Sequence, residues 1–150
     1  MKKYFFLVIP MAILISSCSS QSIPANKVPS VVLNAFKAQY PGSNDVEWEK
    51  HGNTYEAEFD VTDTSEIVAR IDESGNVVMK KEDLSVNQLE PTILTTIQSR
   101  YKDYRLDDVE KIQKGNSVFY QVELKAKGKK ELNVVLAADG TEDKNLPYWH

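Results

Sequence analysis

The sequence contains few of the residues on which disulfide and metal chemistry depend. Among its 150 residues there are one cysteine and two histidines. A single cysteine cannot form a disulfide within the chain, and it cannot build a cysteine-based zinc site. With 41% hydrophobic residues, the chain has enough apolar side chains to form a core without such crosslinks. The composition therefore predicts a globular domain that needs no metal or other cofactor.

Positive charge and long hydrophobic runs are scarce as well. Lysine and arginine number 18 against 22 aspartate and glutamate residues, a balance that argues against nucleic acid as a partner. The apolar run near the start spans only residues 5–15, whereas a membrane-spanning helix needs about 20 residues. Because Lys2 and Lys3 precede it, this short run predicts a secretory signal peptide over residues 1–17.

The only cysteine, Cys18, follows that apolar run, at the end of the sequence LISSC. This sequence resembles the bacterial lipobox, in which an apolar residue and two small residues precede a cysteine that receives diacylglycerol and becomes the first residue after cleavage. The resemblance implies lipidation of Cys18 and a firm membrane anchor. Residues 18–27 are then the lipidated cysteine and a tether. Since Ser19 stands where an aspartate favours inner-membrane retention, the expected location is the outer membrane, facing the periplasm.

The rest of the chain predicts two successive copies of one unit, a helix followed by a four-stranded meander. Apolar residues recur every three or four positions from Val28 to Tyr40 and again from Leu89 to Tyr101, which indicates two amphipathic helices. Alternating apolar and polar residues behind the first helix indicate four strands, most clearly over residues 55–61. The second copy predicts strands at residues 106–112, 118–126 and 132–138, and a weaker fourth strand after the Asp139-Gly140 turn.

The two copies correspond at a nearly constant offset. Phe36 and Ile97 are 61 residues apart, and Gly75 and Gly140 are 65 apart, as expected if small insertions lie in the loops. This correspondence predicts an α+β fold built from a tandem repeat, with the helices covering one face of antiparallel sheet. The predicted boundaries are residues 28–83 for repeat 1 and residues 84–145 for repeat 2.

The first copy carries VP at residue 28, Phe36, YP at residue 40, VEW at residue 46 and YEAEF at residue 55. With these residues, the chain over about residues 28–143 resembles PepSY-like domains, also called β-lactamase-inhibitor-like domains. The resemblance implies a β-lactamase-inhibitor-protein-like fold, with a sheet surface suited to binding protein, in a secreted or lipid-anchored bacterial protein. Because PepSY domains elsewhere are associated with restraining peptidases, the implied partner is an envelope protein, with a hydrolase as one candidate.

Catalytic groupings are missing from the sequence. No serine lies in a Gly-x-Ser-x-Gly elbow, and the only thiol is the predicted lipidation site. The carboxylate pairs Glu47 with Glu49 and Glu56 with Glu58 lie on the polar side of the predicted strands, where water surrounds both members alike. An acid–base pair needs two different environments. We therefore interpret the protein as one that is not an enzyme.

The polar side of the predicted sheet is the candidate binding surface. If Trp48 and Tyr55 face the helix, then the alternating charged residues face outward, and an exposed phenylalanine among them is typical of an interface anchor. The alternative is a set of cross-strand ion pairs with one isolated aromatic residue. The predicted partner-binding residues are Glu56, Glu58, Arg70, Phe119 and Glu123.

Two hypotheses of function follow from these patterns. The first is a non-catalytic, lipid-anchored envelope protein that acts as a protein-binding or inhibitor-like module through its exposed sheet face. The second is a periplasmic lipoprotein that binds or senses a small molecule, a glycan or an ion in the seam between the two copies. The pair Tyr148-Trp149 is predicted to be part of a frayed terminus, with a second interface anchor as the alternative.

Overall fold

The structure is a computed structural model that describes residues 21–62 and 65–150. The predicted signal peptide and Cys18 lie outside the described residues. The first part contains β1 (Gln21–Ser22), α1 (Ser30–Gln39), β2 (Asn44–His51), β3 (Thr54–Thr62), β4 (Ser65–Asp72) and β5 (Val77–Asp83). The second part contains α2 (Pro91–Arg100), β6 (Arg105–Lys114), β7 (Ser117–Lys125) and β8 (Leu132–Ala137). A short 3-10 turn precedes each helix, at Ala25–Lys27 and at Val86–Gln88.

The eight strands form one antiparallel sheet in which they lie in chain order from β1 to β8. The two halves join where β5 pairs with β6, with Lys80 opposite Gln113 and Asp83 opposite Glu110. The sheet is therefore continuous, and together with its two helices it confirms the predicted α+β class. Within the described residues, no helix is long and apolar enough to cross a membrane.

Both helices pack on the same face of the sheet, which we call the helix face. In the first half, Phe36 of α1 meets Trp48 and Phe59 edge to face, with ring centroids 5.1 and 5.0 Å away. In the second half, Ile93 and Ile97 of α2 pack on a mainly aliphatic patch of the sheet that includes Tyr120. Burial of these side chains, at about 1.5–3 kcal/mol each, is what fixes the helices on this face.

Two glycine turns sit directly under the helices. Gly75 and Gly140 have φ of 88° and 81°, a conformation that residues with a Cβ rarely adopt. A Cβ on Gly75 would lie 3.1 Å from the Cβ of Ala35, and one on Gly140 would clash with the hydroxyl oxygen of Thr96. Glycine thus lets each turn approach its helix closely.

The last predicted strand is wrong. After β8, the chain makes one isolated bridge, Leu136 opposite Glu142. The side chain of Asp143 then accepts hydrogen bonds from the backbone N–H groups of Asn145 and Leu146, at 2.7 and 2.9 Å, which turns the chain away from the sheet edge. Residues 143–150, which we call the strap, cross the face of the sheet opposite the helices instead of pairing as a strand.

The prediction of a frayed terminus is also wrong. Trp149 is 5% exposed and Leu146 is 7% exposed. Both pack with Val68, Met79 and Ile112 in a cluster separate from the two helix-face cores. The strap stays in place because its apolar side chains leave water there and its backbone finds hydrogen-bond partners on the sheet.

Candidate functional site

The five predicted partner-binding residues share the face that the strap crosses, which we call the strap face. Side chains alternate between the two faces of a strand, and Trp48 and Ala57 lie on the helix face. The register pairs Glu56 with Arg70 and carries the same parity across the sheet to Phe119 and Glu123 on β7. Their role in binding a partner stays a prediction.

The expectation that this face is open is wrong for its centre. Glu56 is 6% exposed, and Arg70 and Phe119 are half-buried because the strap lies over them. Glu123 is half-buried and forms an ion pair with Lys125. Only one of the five predicted residues, Glu58, is exposed to solvent.

A row of polar side chains runs under the strap across five neighbouring strands. We call it the polar row, and its members, one from each of β3 to β7, are Glu56, Arg70, Lys81, Glu110 and Gln121. The guanidinium Nε of Arg70 donates to Glu56 at 2.7 Å, and the Lys81 ammonium lies 2.6 Å from Glu110. Gln121, which is fully buried, donates to Glu110. Each charge is therefore paired, as burial requires.

Trp149 is held on this row through both its backbone and its indole ring. Its backbone N–H donates to the side-chain oxygen of Gln121 at 3.0 Å. Its carbonyl oxygen accepts from Gln121 at 2.9 Å and from Lys81 at 3.2 Å. The indole N–H donates to Glu56 at 3.2 Å, and the Arg70 guanidinium lies over the ring, 4.5 Å from a ring centroid, a favourable cation–π geometry.

An open cleft of about 370 Å³ lies on the strap face and is lined by His150 of the strap. We call it the acidic cleft, because five of its lining residues are the glutamates Glu47, Glu49, Glu56, Glu58 and Glu66. Burial and the neighbouring carboxylate of Glu58 raise the pKa of Glu66 above its ordinary value. Among the described residues, no group of three or more His, Cys, Asp or Glu side chains is arranged to hold a metal ion.

Like charges face each other directly in this region. The register places Glu47 opposite Glu58, Glu49 opposite Glu56 and Asp60 opposite Glu66. Like charges opposite each other in neighbouring strands destabilise a sheet. The Glu49–Glu56 pair is relieved by His51, whose Nε2 lies 3.2 and 3.3 Å from the two carboxylates. Negative charge therefore exceeds positive charge at the exposed end of the strap face.

A second groove of about 300 Å³ lies at the seam between the two halves. It is lined by the end of α1, by residues 77–80 of β5, and by Gln113 and Gly115. Tyr40 lines this groove and also a neighbouring pocket beside Phe59. Its hydroxyl is buried and has no hydrogen-bond partner within the described part of the chain. Burial, together with the charge of Glu82, raises the pKa of Tyr40.

Four residues of this site are absent from the predicted partner-binding set, although Trp149 is predicted as an alternative anchor. Lys81, Glu110, Gln121 and Trp149 make most of the contacts under the strap. Alternation along β7 does place Gln121 on the strap face. However, the pairing of β5 with β6 and the path of the strap, which bring the four together, have no local pattern in the sequence.

Comparison with protein families gives two overlapping matches to one family model, over residues 14–79 and 60–141. The family is described as "Putative beta-lactamase-inhibitor-like, PepSY-like". Together the two matches span most of the chain. Among curated proteins, none matches it.

Solved structures from Bacteroides are similar in fold. A BLIP-like protein from Bacteroides fragilis is 26% identical with a TM-score of 0.64, and the match covers 76% of this chain and 82% of that one. A DUF2874 family protein from Bacteroides ovatus is 22% identical with a TM-score of 0.69, covering 77% and 84%. A protein from Bacteroides eggerthii described as putative periplasmic is 17% identical with a TM-score of 0.70, covering 77% and 85%.

Proposed function

Because the chain belongs to the PepSY-like, beta-lactamase-inhibitor-like family, we propose that it is a non-catalytic envelope protein that binds another protein through its strap face. The fold shared with a BLIP-like protein supports an inhibitor-like or protein-binding module. The partner is an envelope protein, and the family resemblance makes a hydrolase the first class to examine.

The observation that carries this proposal is the unbalanced charge of the acidic cleft. Glu47, Glu58 and Glu66 are exposed, and the like-charge pairs in which they lie cost stability in the free protein. A partner that brings lysine or arginine side chains into the cleft would remove this repulsion. Opposite charge on the partner would also speed association at low salt.

The proposal is tested by capture from envelope extract with two charge-matched variants. The bait is the chain from residue 19 onward, which contains every element that the structure describes. Glu58→Lys combined with Glu66→Lys reverses two charges in the cleft, whereas Glu73→Lys combined with Glu90→Lys reverses two exposed charges outside it. We expect a protein that the unchanged bait and the second variant enrich and that the first variant loses. Equal capture by both variants would contradict the strap face as the binding site.

We also propose that the protein is anchored at Cys18 and that the anchor faces the periplasm from the outer membrane. The LISSC sequence supports lipidation, and a structural relative described as periplasmic supports an envelope location. Cys18→Ser should abolish labelling by radioactive palmitate and move the protein from the membrane pellet to the soluble fraction. Unchanged labelling would refute the anchor, and membrane density separation would test the choice of membrane.

We further infer that the two halves descend from one duplicated unit. Each helix has 10 residues, and their first residues, Ser30 and Pro91, are 61 apart. The residues that approach the two turn glycines are spaced in the same way, since Val31 and Thr92 supply the carbonyl near Gly75 and Gly140. The two matches to one family model support the same inference.

The seam groove supports the second candidate function, binding of a small molecule, a glycan or an ion. Its specific support is the Tyr40 hydroxyl, which is buried and has no hydrogen-bond partner among the residues that the structure describes. A ligand group that hydrogen-bonds to this hydroxyl would add stability. A screen of envelope metabolites by thermal unfolding tests this function. A true seam ligand raises the Tm of the unchanged chain and has less effect on Tyr40→Phe, while equal shifts in both proteins would exclude the groove.

A further inference from the structure

We propose that the strap occupies the surface of this chain to which the partner binds, and that the partner displaces it. The partner would do so with an extended segment in which an aromatic residue is followed by basic residues. This inference rests on the proposed function, because it names the chemistry of the segment that the strap face would bind. The argument starts from the contacts that Trp149 makes now.

Most contacts with Trp149 recognise features that another chain could supply. Gln121 binds the backbone N–H and the backbone carbonyl of the same residue. It therefore recognises an extended main chain and not a particular side chain. The Lys81 ammonium adds a hydrogen bond to that carbonyl. Arg70 and Glu56 then select an indole, through the ring face and the ring N–H. The site is therefore specific for an aromatic residue in an extended segment.

The strap itself is attached in a way that allows it to leave. It pairs with the sheet only where it begins, through the N–H of Asp143 and the carbonyl of Val135 at 2.8 Å. Beyond that point its contacts with the sheet involve side chains of the polar row and one apolar cluster. When the strap lifts, water can solvate the charged row, and none of the strand ladders has to break.

The neighbouring cleft determines what should follow the aromatic anchor. His150, the residue after Trp149, lines the acidic cleft together with its five glutamates. A partner segment that follows the strap's course would therefore carry its next residues toward Glu58 and Glu66. Lysine or arginine at those positions would neutralise carboxylates that now face each other across β2, β3 and β4.

Labelled peptides that bind in place of the strap give the direct test. The first probe has the sequence of residues 143–150, DKNLPYWH; the second adds three lysines after the histidine; the third replaces the tryptophan of the first by alanine. Each is titrated by fluorescence anisotropy into the chain from residue 19 onward, either unchanged or with Trp149→Ala.

We expect the first peptide to bind Trp149→Ala at least about tenfold more tightly than the unchanged chain, because the tethered strap competes at a high effective concentration. The second peptide should bind the Trp149→Ala chain about tenfold more tightly than the first peptide does. This gain in affinity should disappear in about 1 M salt. The gain should also disappear in a Trp149→Ala chain that carries Glu58→Lys and Glu66→Lys. The third peptide should not bind.

Three results would overturn the inference. They are binding of the first peptide to neither chain, equal binding of that peptide to both chains, and no gain from the added lysines. Leu146→Ala covers the case in which Trp149→Ala does not fold, since it loosens the strap while keeping its tryptophan. It should give an affinity for the first peptide between those of the other two chains, and an affinity equal to that of the unchanged chain would also count against the inference.

The peptide experiment and the capture experiment can fail separately. Cleft-dependent capture of an envelope protein without peptide binding would overturn displacement of the strap and leave the proposed function standing. Peptide binding without any cleft-dependent capture would support displacement and contradict the proposed function.

Discussion

The two tryptophans of the chain are buried almost equally on opposite faces of one sheet, but different forces hold them. Trp48 is 4% exposed and Trp149 is 5% exposed. On the helix face, Trp48 packs in a cluster with the aromatic ring of Phe36 and the surrounding aliphatic side chains. On the strap face, Trp149 also packs in an apolar cluster, but in addition it rests on ion-paired residues and uses its N–H groups and carbonyl as hydrogen-bonding groups.

The helices and the strap each cover one face of the sheet, and this difference indicates that the helices define the fold whereas the strap can be replaced by another chain. An apolar surface released from its partner gains nothing from water, so α1 and α2 must stay where they are. Ion-paired and amide groups released from the strap can be solvated or can bind another chain. The predictions below test this contrast, starting with the largest effect.

Trp48→Ala should cause the largest loss of stability. Removal of a buried aromatic side chain from a close-packed core costs about 3–5 kcal/mol, from lost burial and from the cavity left behind. Urea unfolding followed by far-UV circular dichroism measures this loss. A loss below about 1 kcal/mol would mean that the aromatic cluster of the first half does not determine its stability.

Trp149→Ala should lower the free energy of unfolding by less, about 1–3 kcal/mol, although the residue is equally buried. Its apolar contacts are lost, but the polar row is solvated instead of leaving a dry cavity. The same urea titration measures it, with Trp48→Ala as the matched variant on the other face. Equal losses for the two variants would remove the distinction between the faces.

A double-mutant cycle can separate the indole contact from the rest of the strap. Glu56→Gln weakens the pairing with Arg70 and the hydrogen bond from the Trp149 indole. We expect its cost to be about 0.5–1.5 kcal/mol smaller in a Trp149→Ala background than in the unchanged chain, because residues in contact are coupled. Additive losses would show that Glu56 does not help to hold the strap.

The smallest effect concerns the pH dependence of stability at the acidic cleft. Burial and Glu58 raise the pKa of Glu66 in the folded state, so the folded protein holds this proton more tightly than the unfolded chain. Stability therefore falls as pH rises from the ordinary pKa of a glutamate through the raised value. Glu66→Gln should reduce that fall, by less than about 1 kcal/mol because the side chain is exposed to screening by solvent. Parallel stability–pH curves for the two proteins would contradict the repulsion assigned to the cleft.

Local sequence patterns predict the helix face well. The three-to-four spacing identifies α1 and α2, and strict alternation over residues 55–61 puts Tyr55, Ala57 and Phe59 on the buried side. These patterns work because neighbouring residues must share a face wherever one side of a helix or strand is buried. The same parity correctly groups the charged residues on the opposite face.

The position of the strap cannot be predicted from local sequence patterns, for physical reasons. Its residues have neither helical nor strand periodicity, and the indole of Trp149 meets a carboxylate 93 residues earlier in the chain. Charged residues alternating along a strand look the same whether they face water or a buried ion pair, so Glu56 is predicted to be exposed. Only the pairing of all five strands from β3 to β7 creates the row on which the strap lies.

Amide hydrogen exchange in the unchanged chain is the most direct test of the distinction between the two covers. We predict that the amide of Trp149, bonded to Gln121, exchanges through local opening with a free energy at least about 2 kcal/mol below that of the ladder amides of β7. The β7 amides should exchange only with global unfolding, together with those of α1. Equal opening free energies for Trp149 and β7 would mean that the strap belongs to the same cooperative unit as the helices, and the account of a replaceable cover would be wrong.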